Sequence, residues 1–103
     1  MKLWLDDMRP CPKGWAWAKT APQAIALLAR GEVTVVSFDH DLGNDMEGTG
    51  YDVLCWMEEA IECEQWYGPL PEILIHSANP VGRARMYAVK DVIERMWSER
   101  SAS

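Results

Sequence analysis

The sequence has little of what marks a disulfide scaffold, a membrane protein or a protein that coats long nucleic acid. It has three cysteines, an odd number without a CxxC pair, which argues against a disulfide framework and favours a reducing compartment such as the cytoplasm. No apolar run has transmembrane length, and the start MKLWLDD meets two acids too early for a signal peptide. Ten basic residues against 16 acidic ones give a net charge of −6, which argues against broad binding to long nucleic acid. A small phosphorylated ligand, or one RNA end held in a local pocket, stays compatible with this charge.

The 103 residues suffice for one domain, and they alternate between apolar strands and helices. Strands are predicted at residues 2–5, 15–18, 33–38 and 72–75, helices at 20–30, 51–66 and from 80 onward, and a frayed tail at 98–103. Thr20 and Asn79 have the sequence context of helix N-caps. Strands that alternate with helices pair in parallel through right-handed crossovers. We therefore expect one α/β domain over 1–103, with three layers and a mainly parallel sheet of three or four strands.

Three of the predicted strands end in polar residues that could carry chemistry. These sets are Asp6 and Asp7, Asp39 with His40 and Asp41, and His76 with Ser77 and Asn79. Parallel strands place their carboxyl ends at one edge of the sheet, where open α/β sheets bind ligands. The alternative is that strands end in loops and loops are polar. That alternative explains any one set, but it explains less well why both histidines of the chain occur among the three.

The carboxylates at these strand ends indicate a metal site. Asp6, Asp7 and Asp39 are hard oxygen ligands, and their mutual repulsion would be relieved by a divalent cation such as Mg²⁺ or Mn²⁺. A histidine added to this set would favour Mn²⁺ or another transition metal. An alternative for Asp7 alone is a loop salt bridge with Arg9.

His40 and His76 are candidates for the general acid and base of phosphate-ester chemistry, because histidine titrates near neutrality. Together with Asp39 they form the predicted catalytic set. A structural role is the alternative for each histidine.

Four residues are candidates for binding phosphate. They are Arg9, Ser77, Asn79 and Arg83. Ser77 and Asn79 precede a helix whose N-terminus could hold an anion, Gly82 would allow close approach of the backbone, and Arg83 could add a bidentate contact. Capping of the helix is the alternative for Asn79.

The aromatic and sulfur residues favour structural roles. Trp4, Trp56 and Trp97 are predicted to belong to the core, and Cys55 and Cys63 to be buried thiols on one helix. Trp15 and Trp17 could stack on a base, or could simply pack an edge strand.

Several segments resemble the receiver domains of response regulators. Leu5-Asp6-Asp7 resembles the receiver acid pair, Asp39 at the end of VVSFD the phospho-acceptor, and Ser77-Ala78 the Ser/Thr-Ala pair, while TAPQAIALL resembles the helix after the second strand. RPCPKG stands where receivers have their first helix, and the last strand and the Lys that pairs with the phospho-aspartate are missing. This resemblance implies a truncated, flavodoxin-like receiver topology, with the first strand central and beside the third.

The whole combination is more similar to one offshoot, the cyclic-phosphate-processing receiver-like domains of bacteria and phages. The matching motifs are LWLDDMRPCPKGW, SFDHDLG, GTGYDVLCWM and IHSANPVGRARM. The resemblance implies action on cyclic phosphates, notably the 2′,3′-cyclic phosphate at RNA ends, in repair or conflict systems. The resulting expectation is a metal-dependent phosphoesterase. The alternatives are a module that captures a cyclic nucleotide or RNA end without cleaving it, and a degenerate receiver used in signalling.

Overall fold

The computed structural model describes residues 1–43 and 47–102, which form a parallel sheet of four strands with three helices. The strands are β1 (Lys2–Leu5), β2 (Ala16–Ala18), β3 (Val35–Phe38) and β4 (Glu72–Ile75). Their order is β2-β1-β3-β4, and every neighbouring pair is parallel. This confirms the predicted receiver-like α/β fold, including the central β1 beside β3.

The helices are α1 (Ala21–Leu28), α2 (Gly50–Glu62) and α3 (Pro80–Ala102). The Thr20 hydroxyl accepts a hydrogen bond from the Gln23 N–H, so the predicted cap of α1 is confirmed. The α2 helix ends four residues before the predicted Trp66, because the chain turns at Glu64, which has a left-handed φ of 57°. Residues 98–102, predicted as a frayed tail, continue α3, since neither Gly nor Pro follows Gly82 to interrupt it.

All three helices cover the same face of the sheet. On that face the buried side chains Leu3, Val36 and Ile73 lie side by side in register. α2 packs against both α1 and α3, which is possible only within one layer. The opposite face is open, and Trp17 and Leu74 are each 41% exposed there. An all-parallel sheet with a solvated face is unusual, and it explains why buried and exposed residues alternate along β1 and β4.

The sequence predicted three layers, and the structure has two because of the first crossover. The chain moves from β1 to β2 in one direction across the sheet and from β2 to β3 in the other, so right-handed connections must cross opposite faces. The segment 6–15 therefore crosses the face without helices. It contains Pro10 and Pro12, and Gly14 at a φ of 87°, which disfavour a helix there.

The core differs from the sequence prediction at two residues. Trp56 and Trp97 pack against the core as expected, but Trp4 lies outside it, on the open face. Cys55 is partly buried, whereas Cys63 is exposed because it is the C-cap residue after α2. Of the helices in the described part of the chain, none is long and apolar enough to cross a membrane.

Candidate functional site

A cleft of about 400 Å³ opens at the carboxyl edge of the sheet, beyond the ends of β1, β3 and β4. Its described lining residues are Asp6, Asp7, Met8, Arg9, Asp39, Asp41, Gly43, Ala78 and Asn79. The three predicted polar strand ends therefore do meet in one place. Four of these lining residues are aspartates and one is an arginine, so the cleft is strongly acidic.

Asp6, Asp7 and Asp39 form a cluster in this cleft. Each offers a carboxylate oxygen that lies within 4.8 Å of the other two. The absence of a side chain at Gly43 leaves room for the Asp7 carboxylate, because a Cβ at residue 43 would lie 2.5 Å from the Asp7 Oδ2. The candidate metal ligands predicted from sequence are thus brought together by the fold.

The Asp6 carboxylate is fully buried and held at both oxygens. Its Oδ1 accepts hydrogen bonds from the Met8 N–H at 2.8 Å and the Arg9 N–H at 2.9 Å, and its Oδ2 accepts from the His76 Nε2 at 3.0 Å. Burial would raise the pKa of Asp6, but these three hydrogen bonds outweigh it and hold the pKa below 3.8. Asp6 is therefore ionised and fixed in orientation.

Asp39 has the opposite electrostatic character. Burial and the negative charge of Asp6 raise its pKa, although the His40 N–H donates to its Oδ1 at 2.9 Å. Two carboxylates so close together are under electrostatic repulsion. A cation between them would relieve it.

His76 lies behind the acidic cluster, with both ring nitrogens engaged. Nε2 donates to Asp6, and Nδ1 lies 2.7 Å from the Oγ of the buried Ser37. The ring stacks on the Trp4 indole, with 3.9 Å between centroids and 1° between planes. Burial lowers the pKa of His76, although the Asp6 carboxylate opposes this. A neutral ring that donates from Nε2 to Asp6 and accepts the Ser37 hydroxyl proton at Nδ1 satisfies all these contacts.

His40 belongs to a second pair at the rim of the cleft. Its Nδ1 donates to the Asp41 Oδ1 at 2.8 Å, and this hydrogen bond is the main reason why the pKa of Asp41 is lowered. The Asn79 Nδ2 lies 3.4 Å from the other Asp41 oxygen. Gly82 in α3 makes room for the imidazole, because a Cβ there would lie 2.5 Å from its Cγ and Cδ2. Gly82 thus serves the packing of His40.

The four candidate phosphate-binding residues are placed differently from one another. Arg9 lines the cleft, and its guanidinium donates to the His76 carbonyl oxygen; no ion pair joins it to Asp7 among the described residues. Asn79 also lines the cleft, and its Oδ1 caps α3 by accepting from the Gly82 N–H at 3.1 Å. The Ser77 Oγ is used inside the turn, where it accepts from the Asn79 N–H.

Arg83 is not brought to the cleft with the others. Its guanidinium lies over the Tyr87 ring, 5.6 Å from the centroid. Asn79 also accepts the Arg83 N–H at its carbonyl oxygen, and Pro80 has no N–H to offer. The N–H groups of Gly82 and Arg83 at the start of α3 are therefore already hydrogen-bonded to Asn79.

Sequence reasoning missed three residues that shape this site. Ser37 is the polar member of the apolar strand VVSF, which was a usable signal. Asp41 belongs to a polar strand end, but the sequence pattern indicates no specific role for it. The pattern predicts Trp4 as a core residue, because nothing local indicates that it stacks on a histidine 72 positions away.

Trp17 contacts the site through the backbone. Its indole N–H donates to the Asp6 carbonyl oxygen at 2.6 Å, and the Lys19 Nζ lies 4.6 Å from its ring centroid. This hydrogen bond fixes an exposed tryptophan beside the end of β1. Trp15 instead meets Trp4 edge-on, with the centroids 6.1 Å apart, as expected for packing on a sheet edge.

The comparisons with known proteins agree with the receiver-like fold. No curated protein and no solved structure matches the chain significantly. The sequence model of one family, described as the cyclic-phosphate processing receiver domain, matches residues 1–91. That match covers both histidines and every lining residue of the cleft. The chain therefore belongs to the family of cyclic-phosphate processing receiver domains.

Proposed function

We propose that this protein is a metal-dependent phosphoesterase that opens a cyclic phosphate, either at a 2′,3′-cyclic RNA end or in a cyclic nucleotide. The observation that carries the proposal is the cluster of three carboxylates within 4.8 Å at the cleft, in a chain of this family. The family description suggests a cyclic phosphate as the substrate. The carboxylate cluster is the reason to expect metal-dependent hydrolysis.

The acidic cleft fits a divalent cation. A phosphate diester is an anion, and four aspartates around the cleft would repel it. Asp6, Asp7 and Asp39 offer oxygen ligands only, a donor set that suits Mg²⁺ or Mn²⁺, and we propose that they hold one such ion. When bound, the cation would polarise a phosphoryl oxygen and lower the pKa of water.

The remaining residues supply proton transfer and charge. Opening the ring forms one bond from a water oxygen to phosphorus, breaks one ester P–O bond, and moves a proton to the leaving oxygen. His40 is our candidate for this transfer: with its Nδ1 proton held by Asp41, its Nε2 would take a proton from the attacking water and pass it to the leaving oxygen. Arg9 is the cation of the cleft lining that can meet a phosphate oxygen.

The cellular setting is part of the same proposal. All three cysteines are free in the described structure, which fits a reducing compartment, and we propose action in the cytoplasm. We propose RNA repair, or conflict between bacteria and phages, as the setting in which it acts on 2′,3′-cyclic ends.

Turnover measured on a substrate panel tests the proposal. The panel holds 2′,3′-cyclic mononucleotides, RNA with a 2′,3′-cyclic end and cyclic dinucleotides, each with Mg²⁺, with Mn²⁺ and with a chelator. We expect metal-dependent product that Asp39→Asn abolishes. Asp91→Asn, which makes the same charge change on exposed α3, should keep full turnover. If a cyclic phosphate binds but is recovered intact, the protein is a binding module and the phosphoesterase proposal is wrong.

A further inference from the structure

We infer that His76, Ser37 and Trp4 form a positioning unit that aims the Asp6 carboxylate into the cluster, and that His76 is not the acid or base of the reaction. This inference rests on the proposed function in one respect only, namely that Asp6 is a metal ligand. It reassigns a residue that sequence reasoning placed in the catalytic set, and it gives roles to two residues that sequence reasoning left out.

Asp6 is held at both of its carboxylate oxygens. One carboxylate oxygen accepts two backbone N–H groups from its own loop, at 2.8 and 2.9 Å. The other oxygen accepts its one side-chain hydrogen bond from His76, a residue of another strand end. The backbone contacts fix one edge of the carboxylate, so the His76 contact decides how the plane of the carboxylate is turned. Outer contacts of this kind orient metal ligands in proteins.

His76 is itself held in place by Trp4 and Ser37. Trp4 and Ser37 are paired in register on neighbouring strands, and both side chains lie on the open face of the sheet. The indole of Trp4 stacks on the imidazole, and the Ser37 hydroxyl meets its Nδ1 at 2.7 Å. The Trp4 N–H donates to the Arg9 carbonyl oxygen, which ties the indole to the loop that follows Asp6. The ring therefore cannot turn without breaking several contacts.

Neither histidine is among the described lining residues of the cleft, so their contacts distinguish them and their access does not. In His76 both ring nitrogens are engaged by neighbouring residues. Its Nε2 proton is directed at Asp6 and its Nδ1 at Ser37. A proton shuttle would have to release Asp6 in every cycle, which would disturb the cluster that it supports. His40 has no such conflict, because its partner Asp41 lies outside the cluster.

A pair of conservative variants separates the two roles. A glutamine amide nitrogen reaches about where the histidine Nε2 lies, whereas an asparagine amide reaches only to the place of Nδ1. His76→Gln can keep the hydrogen bond to Asp6, but His76→Asn cannot. Neither variant can shuttle a proton. The first readout is Mn²⁺ affinity, measured by calorimetry or electron paramagnetic resonance without substrate, and the second is turnover.

For a positioning unit we expect His76→Asn to weaken Mn²⁺ binding by about 10- to 100-fold and His76→Gln to stay within a few-fold of wild type. Ser37→Ala should fall between them. His40→Gln should leave Mn²⁺ affinity unchanged. Thermal unfolding of each variant in chelator checks that the fold is kept.

Two results would overturn the inference. Loss of turnover in both His76 variants with unchanged Mn²⁺ affinity would make His76 an acid or base. A wild-type protein that binds no Mn²⁺ would remove the ligand role of Asp6 and the positioning role with it. If wild type binds Mn²⁺ but hydrolyses nothing, the affinity series still decides the inference, while the proposed function fails.

Discussion

The protein contains two histidine–aspartate pairs of nearly equal length in very different surroundings. His76 and Asp6 lie 3.0 Å apart, and Asp6 is fully buried; His40 and Asp41 lie 2.8 Å apart, and the Asp41 side chain is 63% exposed. The two imidazoles are similarly buried, at 16% exposure for His76 and 14% for His40, so the pairs differ at the aspartate and in the further contacts to Ser37 and the first loop. The contact distance alone therefore does not reveal a role. On the basis of these contacts we propose orientation of Asp6 for the buried pair and proton transfer for the rim pair.

The largest expected effect is the loss of turnover in His40→Gln, which removes the histidine of the rim pair. Removing an acid or base costs typically 10²- to 10⁴-fold in rate, and we expect turnover to fall by about that factor. The free energy of unfolding should change by less than about 1 kcal/mol, because the pair is partly exposed. Steady-state kinetics and urea denaturation measure the two quantities. Full turnover in this variant would leave the rim pair without the role assigned to it.

Replacing Asp6 or Asp41 by alanine should reduce the free energy of unfolding by very different amounts. Asp6→Ala removes the acceptor of two backbone N–H groups and the His76 ring, so we expect a loss on the order of 3 kcal/mol in unfolding free energy. Relief of the repulsion on Asp39 offsets part of the cost. Asp41→Ala should cost no more than about 1 kcal/mol. Denaturation in chelator compares them, and equal losses would contradict the contrast between buried and exposed pairs.

Gly82→Ala should disturb the rim pair alone. The new methyl would lie 2.5 Å from the His40 ring and push it aside. A misplacement of about 1 Å can cost up to about 10²-fold, so turnover should fall by roughly tenfold or more. Stability should stay within about 1 kcal/mol, because alanine favours a helix over glycine by that amount. Ala84→Gly, the reverse change at an exposed position of α3, is the control and should leave turnover intact.

The smallest effect should be the pH dependence that the buried pair confers. Burial lowers the pKa of His76 below 6.5, so the unfolded chain binds this proton more readily than the folded protein does. The associated stability is complete above about pH 6.5 and is lost as the pH falls through the folded pKa. The lowered pKa of Asp6 adds a second loss below pH 3.8.

Unfolding free energy in chelator between pH 7 and pH 5 tests this dependence. It should fall towards pH 5, and it should fall less in His76→Gln, which cannot titrate. Asp39 acts in the opposite direction, since its pKa is raised from 3.8, and only the difference between the two proteins isolates the histidine. Identical slopes would mean that His76 titrates alike in folded and unfolded chains.

The sequence was sufficient for the parts of this molecule that depend on local pattern. The bounds of β1 and β4 and the caps at Thr20 and Asn79 follow from short apolar runs and from capping residues next to them. The meeting of Asp6, Asp7 and Asp39 follows from parallel pairing, because each ends or follows a strand.

The roles of single side chains needed the tertiary structure. Nothing near His76 in sequence says that Trp4 covers one face of its ring and Ser37 takes one nitrogen. Arg83 follows a helix cap that is typical of anion sites, yet its guanidinium lies over the Tyr87 ring and not in the cleft. The helices on one face were missed for a related reason, since the side of a crossover depends on strand order and not on any one segment.

The position of β4 at the edge of the sheet makes the site sensitive to local opening. Asp6 and His76 are 70 positions apart in sequence, and their contact exists only when β4 is docked on β3. Contacts of such long range are costly to form in folding, and proteins open locally with free energies that differ from segment to segment. The His76 N–H donates to the Phe38 carbonyl oxygen at 2.9 Å, so it is exchange-protected only while this strand end is docked. The hydrogen-exchange rate of the His76 amide would therefore report how often β4 opens and the contact between His76 and Asp6 is lost.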